Sequence, residues 1–414
     1  MAAWLMSTGC PPQQLRLGAV DRGFLAGPVG RPIPAAALLD FTGRPPSVQD
    51  LRERVAERAE RLPALHYSLS GDGKSARWSG RLDPAQHVRV LAAGEGESES
   101  DRGAELLLAQ GPPARDSRPP WEVVLISRPG GYSLGFHGDH ALFDGVLIRT
   151  LLRTLIDDDP AAGAALPRPE RPRPAGIADT LAQQAALWRT TEPAPAFATP
   201  SGGPRQVRHA DVALSHIRGL ARAYGVTVND IYLAALAHAV CLWQRDGTHP
   251  PVEAAMPVSF RRPGEEGELG NRMALARIVL PCDDSSPMEA LRRVAAQTAR
   301  QKRLRQRDAL RVLSALTPGA AAVWFAPRLA HTLIASNVAF GSTLTHRGDV
   351  AHAAYGVIDV HGLHQCFAGL VGYQDTARFT VIHHPDAPIG AVLPSLWLDA
   401  LRALEEHATV SGPR

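Results

Sequence analysis

A chain of 414 residues exceeds what one hydrophobic core usually organises, so two lobes are expected. Hydrophobic residues at 45% with 21% charged residues exclude a chain dominated by disorder. A formal net charge of +3, with no basic face interleaved with groove-reading or stacking elements, argues against a nucleic-acid partner.

The four cysteines, Cys10, Cys241, Cys282 and Cys366, are scattered without metal-ligand spacing or a disulfide framework, which points to a reducing compartment and to no metal centre. The first residues, MAAWLMSTGCPPQQLRL, lack the basic-then-apolar pattern of a secretory leader, so a cytoplasmic protein is expected. The most apolar window, GAAAVWFAPRLAHTLIASNV, is broken by Pro327, Arg328 and His331 and reads as too short to span a bilayer, though it could rest against one.

In chain order, SVQDLRERVAERAERLPAL carries apolar residues at Leu51, Val55, Ala59 and Leu62, an amphipathic helix that Ser47 or Asp50 helps start. Short alternating segments follow (SARWSG, QHVRVLAA), then a helical patch GAELLLAQ and a strand pair WEVVLISRPGGYSLGFHGDH turned at Pro129-Gly130-Gly131. The spacing of Ile148, Leu151, Leu152 and Leu155 predicts a helix beginning near Asp144 or Gly145, with Arg149 and Arg153 opposite its apolar stripe. The stretch PAAGAALPRPERPRP has no periodicity and marks an extended connection. Beyond it come a helix around ADTLAQQAALWRTT, two helices meeting at Tyr224-Gly225, strands VEAAMPVSF and MALARIVL, a long helical region, and strands through QCFAGLVGYQDTARFTVIHH. The expected class is mixed α/β: a first lobe over residues 1–159, a crossover at 160–178 and a second lobe over 179–414.

His140 ends the apolar face of the strand YSLGFHGDH, whose other face carries Ser133, His137 and Asp139. On residue pattern alone it is either a satisfied core histidine or a base aimed at a substrate. Asp144 reads as an N-cap, and Gly145 as a residue that tolerates a tight turn. Thr227 and Asp230 can cap the helix that follows Asn229.

His140-Ala-Leu-Phe-Asp144-Gly145 resembles the HxxxDG core of the chloramphenicol acetyltransferase-like superfamily, which includes peptide-synthetase condensation domains, plant acyltransferases and bacterial wax ester synthase/diacylglycerol acyltransferases. The last group is the most similar. RDSRPPWEVVLI resembles its segment ending in Pro-Leu-Trp-Glu, GVTVNDIYLAAL its Asn-Asp motif, and MPVSFRRPGEEGELGNRMA its Pro-Val-Ser, Arg and Leu-Gly-Asn block. The resemblance implies two lobes meeting at a central tunnel, with His140 as general base on an acceptor hydroxyl or amine and an acyl-CoA or acyl-carrier-protein thioester as donor. It implies no cofactor beyond that co-substrate. Asp139, Asp144, Gly145, Asn229 and Asp230 take supporting roles, and Trp121, Ser336, Asn337 and Phe340 are candidate pocket residues, although Trp121, after Pro119-Pro120, also reads as the start of a strand with a packed indole.

Three departures stand out: Asp139 occupies the place of the family's first histidine, Asn337-Val338-Ala339-Phe340-Gly341 lacks the prolines of Asn-Val-Pro-Gly-Pro, and Asp21, Phe24 and Leu25 are not followed by the usual Met-His pair. The first leaves Asp139 free to pair with an arginine. Together they favour an alcohol acceptor of specialised metabolism over a long-chain alcohol or diacylglycerol, with amide formation and a non-catalytic binding descendant as the alternatives. The arginine-rich run LRRVAAQTARQKRLRQRDALRVL reads as a solvated helix face, an acyl carrier protein dock, a site for coenzyme A phosphates or a contact with an anionic lipid surface.

Overall fold

The computed structural model describes residues 11–26, 32–80, 82–92, 99–115, 118–128, 130–160, 168, 171–187, 195–197, 203–243, 251–282, 286–318, 333–359 and 366–411. Residues 319–332 of the most apolar window and most of the Pro/Arg-rich connection lie outside them.

Two sheets form the frame. The first has five strands in the order Ala353–Ile358, Pro34–Thr42, Gly131–Asp139, Trp121–Arg128 and Val88–Ala92. The strand that leads to His140 lies at its centre, antiparallel to both neighbours, with Pro34 opposite Asp139 and Trp121 opposite Gly138. Every residue from Gly131 to Asp139 is buried. The alternation seen in the sequence therefore separates two covered faces rather than a core face from a wet one, as expected for a strand with layers on both sides.

The second sheet has six strands in the order Met273–Leu280, Val252–Ser259, Leu333–Gly341, Cys366–Tyr373, Thr376–His383 and Gln206–Ala213. Ala353–Ile358, from the second half of the chain, completes the first sheet, so that sheet is not built from residues 1–159 alone. The helix expected from about residue 178 starts earlier, at Pro174, within the anticipated crossover.

Three apolar clusters hold these layers. One packs Leu51, Val55 and Leu151 against Leu39, Phe41, Leu134 and Phe136 of the first sheet. A second wraps the helix Val228–Trp243 between the second sheet and the C-terminal helix Leu393–Ser411, around Trp397. The third joins the sheets themselves, with Leu38, Val124 and Ile126 of the first meeting Ile334, Phe367 and Ile382 of the second. Burying one such side chain contributes about 1.5–3 kcal/mol, so this inter-sheet cluster fixes how the two halves meet. Among the described residues no single helix is long and apolar enough to cross a membrane. The helix pair Leu214–Ala223 and Val228–Trp243, bent by 96°, passes on length and composition, yet most of its second member is buried in the core.

The first amphipathic helix forms over Val48–Ala59 with Ser47 as N-cap, its hydroxyl accepting from the Asp50 N–H. The motif helix spans Gly145–Ile156 with Asp144 as N-cap. Arg149 and Arg153, opposite the apolar stripe, are buried as well. Their Nη1 atoms donate to the Ala339 and Ser342 carbonyls, because the end of the strand Leu333–Gly341 lies across that side of the helix.

Candidate active site

The chain leaves the central strand at Asp139 and turns through His140 to Phe143 before entering the motif helix. The Leu142 and Phe143 N–H groups donate to the Asp139 carbonyl, and the His140 N–H donates to the Ile33 carbonyl at 2.9 Å, so the turn is fixed at both ends. His140 is 7% exposed.

His140 Nδ1 lies 3.1 Å from Asn271 Oδ1. The surroundings of Asn271 settle which group donates. Its Nδ2 donates to Asp21 Oδ1 at 3.0 Å, to the His140 carbonyl at 2.8 Å and to the Ala141 carbonyl at 3.3 Å, so Oδ1 is the atom facing the ring. Nδ1 then carries the proton, and Nε2 presents its lone pair. Burial pushes the His140 imidazole below its ordinary value, against opposing contributions from its own backbone, from Asp144 and Asp139, and from Asn271. The ring is thus neutral, in one tautomer, and held. Phe24, on the helix Ala19–Ala26, stacks on it with centroids 4.1 Å apart and planes 14° from parallel.

Asp21, one turn before Phe24, fastens that helix to the site: its Oδ1 accepts from the Asn271 N–H at 2.6 Å and its Oδ2 from the Gly18 N–H at 2.8 Å. Burial raises the Asp21 carboxyl from its ordinary value despite these bonds. Gly270, at φ +93°, would set a Cβ 3.2 Å from the Asp21 carboxylate, so a glycine is needed there for both conformation and space.

Asp144 does more than cap. Its Oδ1 accepts from the Leu147 N–H, its Oδ2 accepts from the Arg272 N–H at 2.9 Å, and Arg261 Nη2 lies 2.9 Å from Oδ2. Arg261 is wholly buried, and its remaining N–H groups go to the Glu265, Glu268 and Gly270 carbonyls. Burial alone would raise the Asp144 carboxyl, but the Arg261 guanidinium and the two backbone donors outweigh it and hold the carboxyl below its ordinary value. Arg261 thereby folds residues 261–270 against the first lobe and delivers Asn271 to His140. Asp139 turns to Arg115, which bonds both its oxygens, and accepts from the Ala141 N–H at 3.0 Å.

The other sequence-predicted residues lie elsewhere. Trp121 is 1% exposed, stacks between His87 and Phe136 and donates to the Leu65 carbonyl at 2.8 Å, which makes it a core residue rather than a pocket wall. Phe340 is likewise in the first core, edge-on to Tyr373. Asp230 accepts from Thr227 and Thr298 at the start of its helix. Asn229 receives a hydrogen bond from Asn337 at 3.2 Å and reaches Met256 Sδ at 3.6 Å. Ser336 is half-buried and Asn337 exposed on the same strand. Asn271, Arg261, Asp21 and Phe24 also belong to the site, and the sequence alone does not single them out, because a contact across about 130 or 250 positions leaves no periodic trace in one sequence.

Arg300 pairs with Asp179, and Arg292 with Glu289, so part of the arginine-rich run is paired along two helices, Pro287–Arg303 and Gln306–Leu316. Among the described residues no cluster of His, Cys, Asp and Glu could hold a metal ion.

Two sheets with a histidine at their junction, ahead of a capped helix, define the class: a mixed α/β protein of the chloramphenicol acetyltransferase-like fold. Residues 20–186 match the wax ester synthase/diacylglycerol acyltransferase catalytic domain, so this part of the chain is similar to that family. A Mycobacterium tuberculosis protein named as a diacylglycerol O-acyltransferase is 26% identical over 288 residues, 59% of this chain and 61% of the relative. Another from the same organism is 29% identical over 107 residues, 25% of this chain and 22% of the relative. The chain thus spans about a fifth to six-tenths of the length of these relatives. Among solved structures, the wax ester synthase/diacylglycerol acyltransferase from Marinobacter aquaeolei VT8 superposes with a TM-score of 0.63 at 22% identity, covering 95% of this chain and 100% of that one. The starter condensation domain of rhizomide synthetase, solved in complex with C8-CoA and Leu-SNAC, gives 0.61 at 15% identity, covering 96% and 95%. Both likenesses establish the fold.

Proposed function

We propose that the protein transfers an acyl group from an acyl-CoA or acyl-carrier-protein thioester to an alcohol, forming an ester, with His140 Nε2 as general base. The observation that carries this reading is the Nδ1 contact to Asn271, which leaves a neutral imidazole with a single, oriented lone pair. As the acceptor oxygen attacks the thioester carbonyl, Nε2 takes its proton and a carbon–oxygen bond forms. Collapse of the tetrahedral intermediate breaks the carbon–sulfur bond, and the departing thiolate regains the proton from the imidazolium. A thiolate is a weak enough base to leave without a stronger acid. The two substrates complete the reaction, so it draws on no metal or redox group. The family match supports the ester product, and the three sequence departures favour a specialised-metabolite alcohol.

The test is thiol release from a panel of acyl-CoA and acyl-carrier thioesters with candidate alcohols and amines, with products identified by mass. An acceptor-dependent ester formed by the wild type and reduced about 100- to 10,000-fold in His140→Ala is the expected result. An amide product would move the assignment to condensation chemistry. Equal turnover by both proteins would remove His140 as the base.

A further inference from the structure

The strands Val252–Ser259 and Leu333–Gly341 are neighbours in the second sheet, yet they pair only at Leu333–Ala254 and Ile334–Ala255 among the described residues. Beyond that they part. Met256 to Ser259 on one side are half-buried, and on the other Ser336 and Val338 are half-buried while Asn337 and Ala339 are exposed. Asn229 spans the gap through its contacts to Met256 and Asn337. The first strand continues to Arg261 and so to Asp144 and His140. The second leads to Ala339, whose carbonyl accepts from Arg149 Nη1 at 2.8 Å. Both ends of the gap thus meet the motif turn and helix of the first lobe. Arg149 lies five residues beyond Asp144, about 7.5 Å along the helix axis.

Arg128, Arg149, Arg153, Arg205, Arg261 and Arg378 all carry buried guanidinium groups. Arg128 pairs with Asp40, Arg153 with Asp157, Arg205 with Asp359, Arg261 with Asp144, and Arg378 with Asp40 and Asp211. Arg149 differs. It is 5% exposed and, among the described residues, has no ion pair within 4 Å and no hydrogen-bond partner for its Nε and Nη2. Asp144 and Glu266 act on it through space, but Asp144 is occupied by Arg261, and Glu266 accepts from the Gly264 N–H. Burial and the neighbouring Arg153 push its guanidinium below the ordinary value. A buried unpaired cation is costly, and other proteins of this size pair or expose such groups. The two idle atoms form the side edge of the guanidinium, the edge that grips a carboxylate through two parallel hydrogen bonds.

We propose that Arg149 receives a carboxylate carried by one of the two substrates, at the far end of the acyl donor or on the alcohol. The inference rests on the acyl-transfer reading and deepens it: the enzyme takes a substrate with a charged tail rather than a wholly apolar pair.

Two comparisons with purified full-length protein separate the sources. Octanoyl-CoA is set against the CoA monothioester of octanedioic acid with one alcohol, and octanol against ω-hydroxyoctanoate with one donor, each for wild type, Arg149→Met and Arg149→Lys. Wild type should prefer the carboxylate-bearing member of one comparison by about 10- to 100-fold in kcat/KM, the range expected of one charge-assisted pair. The comparison that shows the preference identifies the source. Arg149→Met should erase it, and Arg149→Lys, which keeps the charge but loses the fork, should retain a fraction.

Thermal melting supplies a readout that does not need turnover. Octanedioate or ω-hydroxyoctanoate should raise the wild-type Tm more than octanol does, and should leave Arg149→Met unmoved. If wild type transfers no acyl group at all, the proposed function fails while the melting shifts still judge Arg149. An equal preference in wild type and Arg149→Met, no preference in wild type, or equal melting shifts would each overturn the inference and leave Arg149 as a clamp on the Ala339 carbonyl.

Discussion

Replacing Asn271 with alanine tests the site most directly, because its side chain touches His140, Ala141 and Asp21 at once. The truncation removes the acceptor that holds the proton on Nδ1. A neutral hydrogen bond of this kind is worth about 0.5–1.5 kcal/mol net, so the productive tautomer loses a factor of roughly 2 to 12 in population. The ring also becomes free to turn, and a positioned base contributes about 100- to 10,000-fold. The expected fall in kcat is therefore about 10- to 100-fold, smaller than that of His140→Ala. The pH profile gives a sharper reading. A base works unprotonated, so activity falls as pH drops through its pKa, and burial places that acid limb below the ordinary histidine value of 6.5. The Asn271 oxygen favours the protonated ring, so its removal should move the limb to still lower pH. Stopped-flow thiol release over a pH series measures both quantities. An acid limb that moves upward, or a kcat loss equal to that of His140→Ala, would refute the assignment of Nε2 as base and Asn271 as its positioning residue.

Phe24→Ala removes the ring stacked on His140 and lets water reach the imidazole, so the acid limb of kcat/KM should move up toward the ordinary value, read from the same pH series. Arg261→Met leaves the buried Asp144 carboxylate unpaired and should lower stability by about 3–5 kcal/mol, measured by urea unfolding. Because the Asp144 carboxyl is held below its usual value, its stabilisation is present above the unfolded carboxyl value and is lost as pH falls through the depressed one. The acid-unfolding midpoint of Arg261→Met should accordingly lie at higher pH than that of the wild type.

Local chemistry carried a good part of this molecule in its sequence. Ser47 and Asp144 are short polar side chains placed just before apolar 3.6-residue stripes, and both are N-caps, because a cap answers to backbone N–H groups only two or three residues away. Alternation located the hairpin that ends at His140, and the HxxxDG spacing singled out that histidine. The tertiary structure decided the rest. The burial of Arg149 and Arg153 was not legible, because a helical stripe shows only where apolar residues lie, whereas the end of the strand 333–341 crosses the other side. Trp121 packs its indole at the start of its strand, as its place after Pro119-Pro120 suggested, whereas what Phe340 touches depends on layers brought together from distant segments. Asn271 reaches His140, and Arg261 reaches Asp144, across the junction of two lobes, and no period in the chain encodes such a meeting. Short-range hydrogen bonding and periodic burial are written along a sequence, while the tautomer of a base and the company of a buried charge are set only when the sheets close on each other.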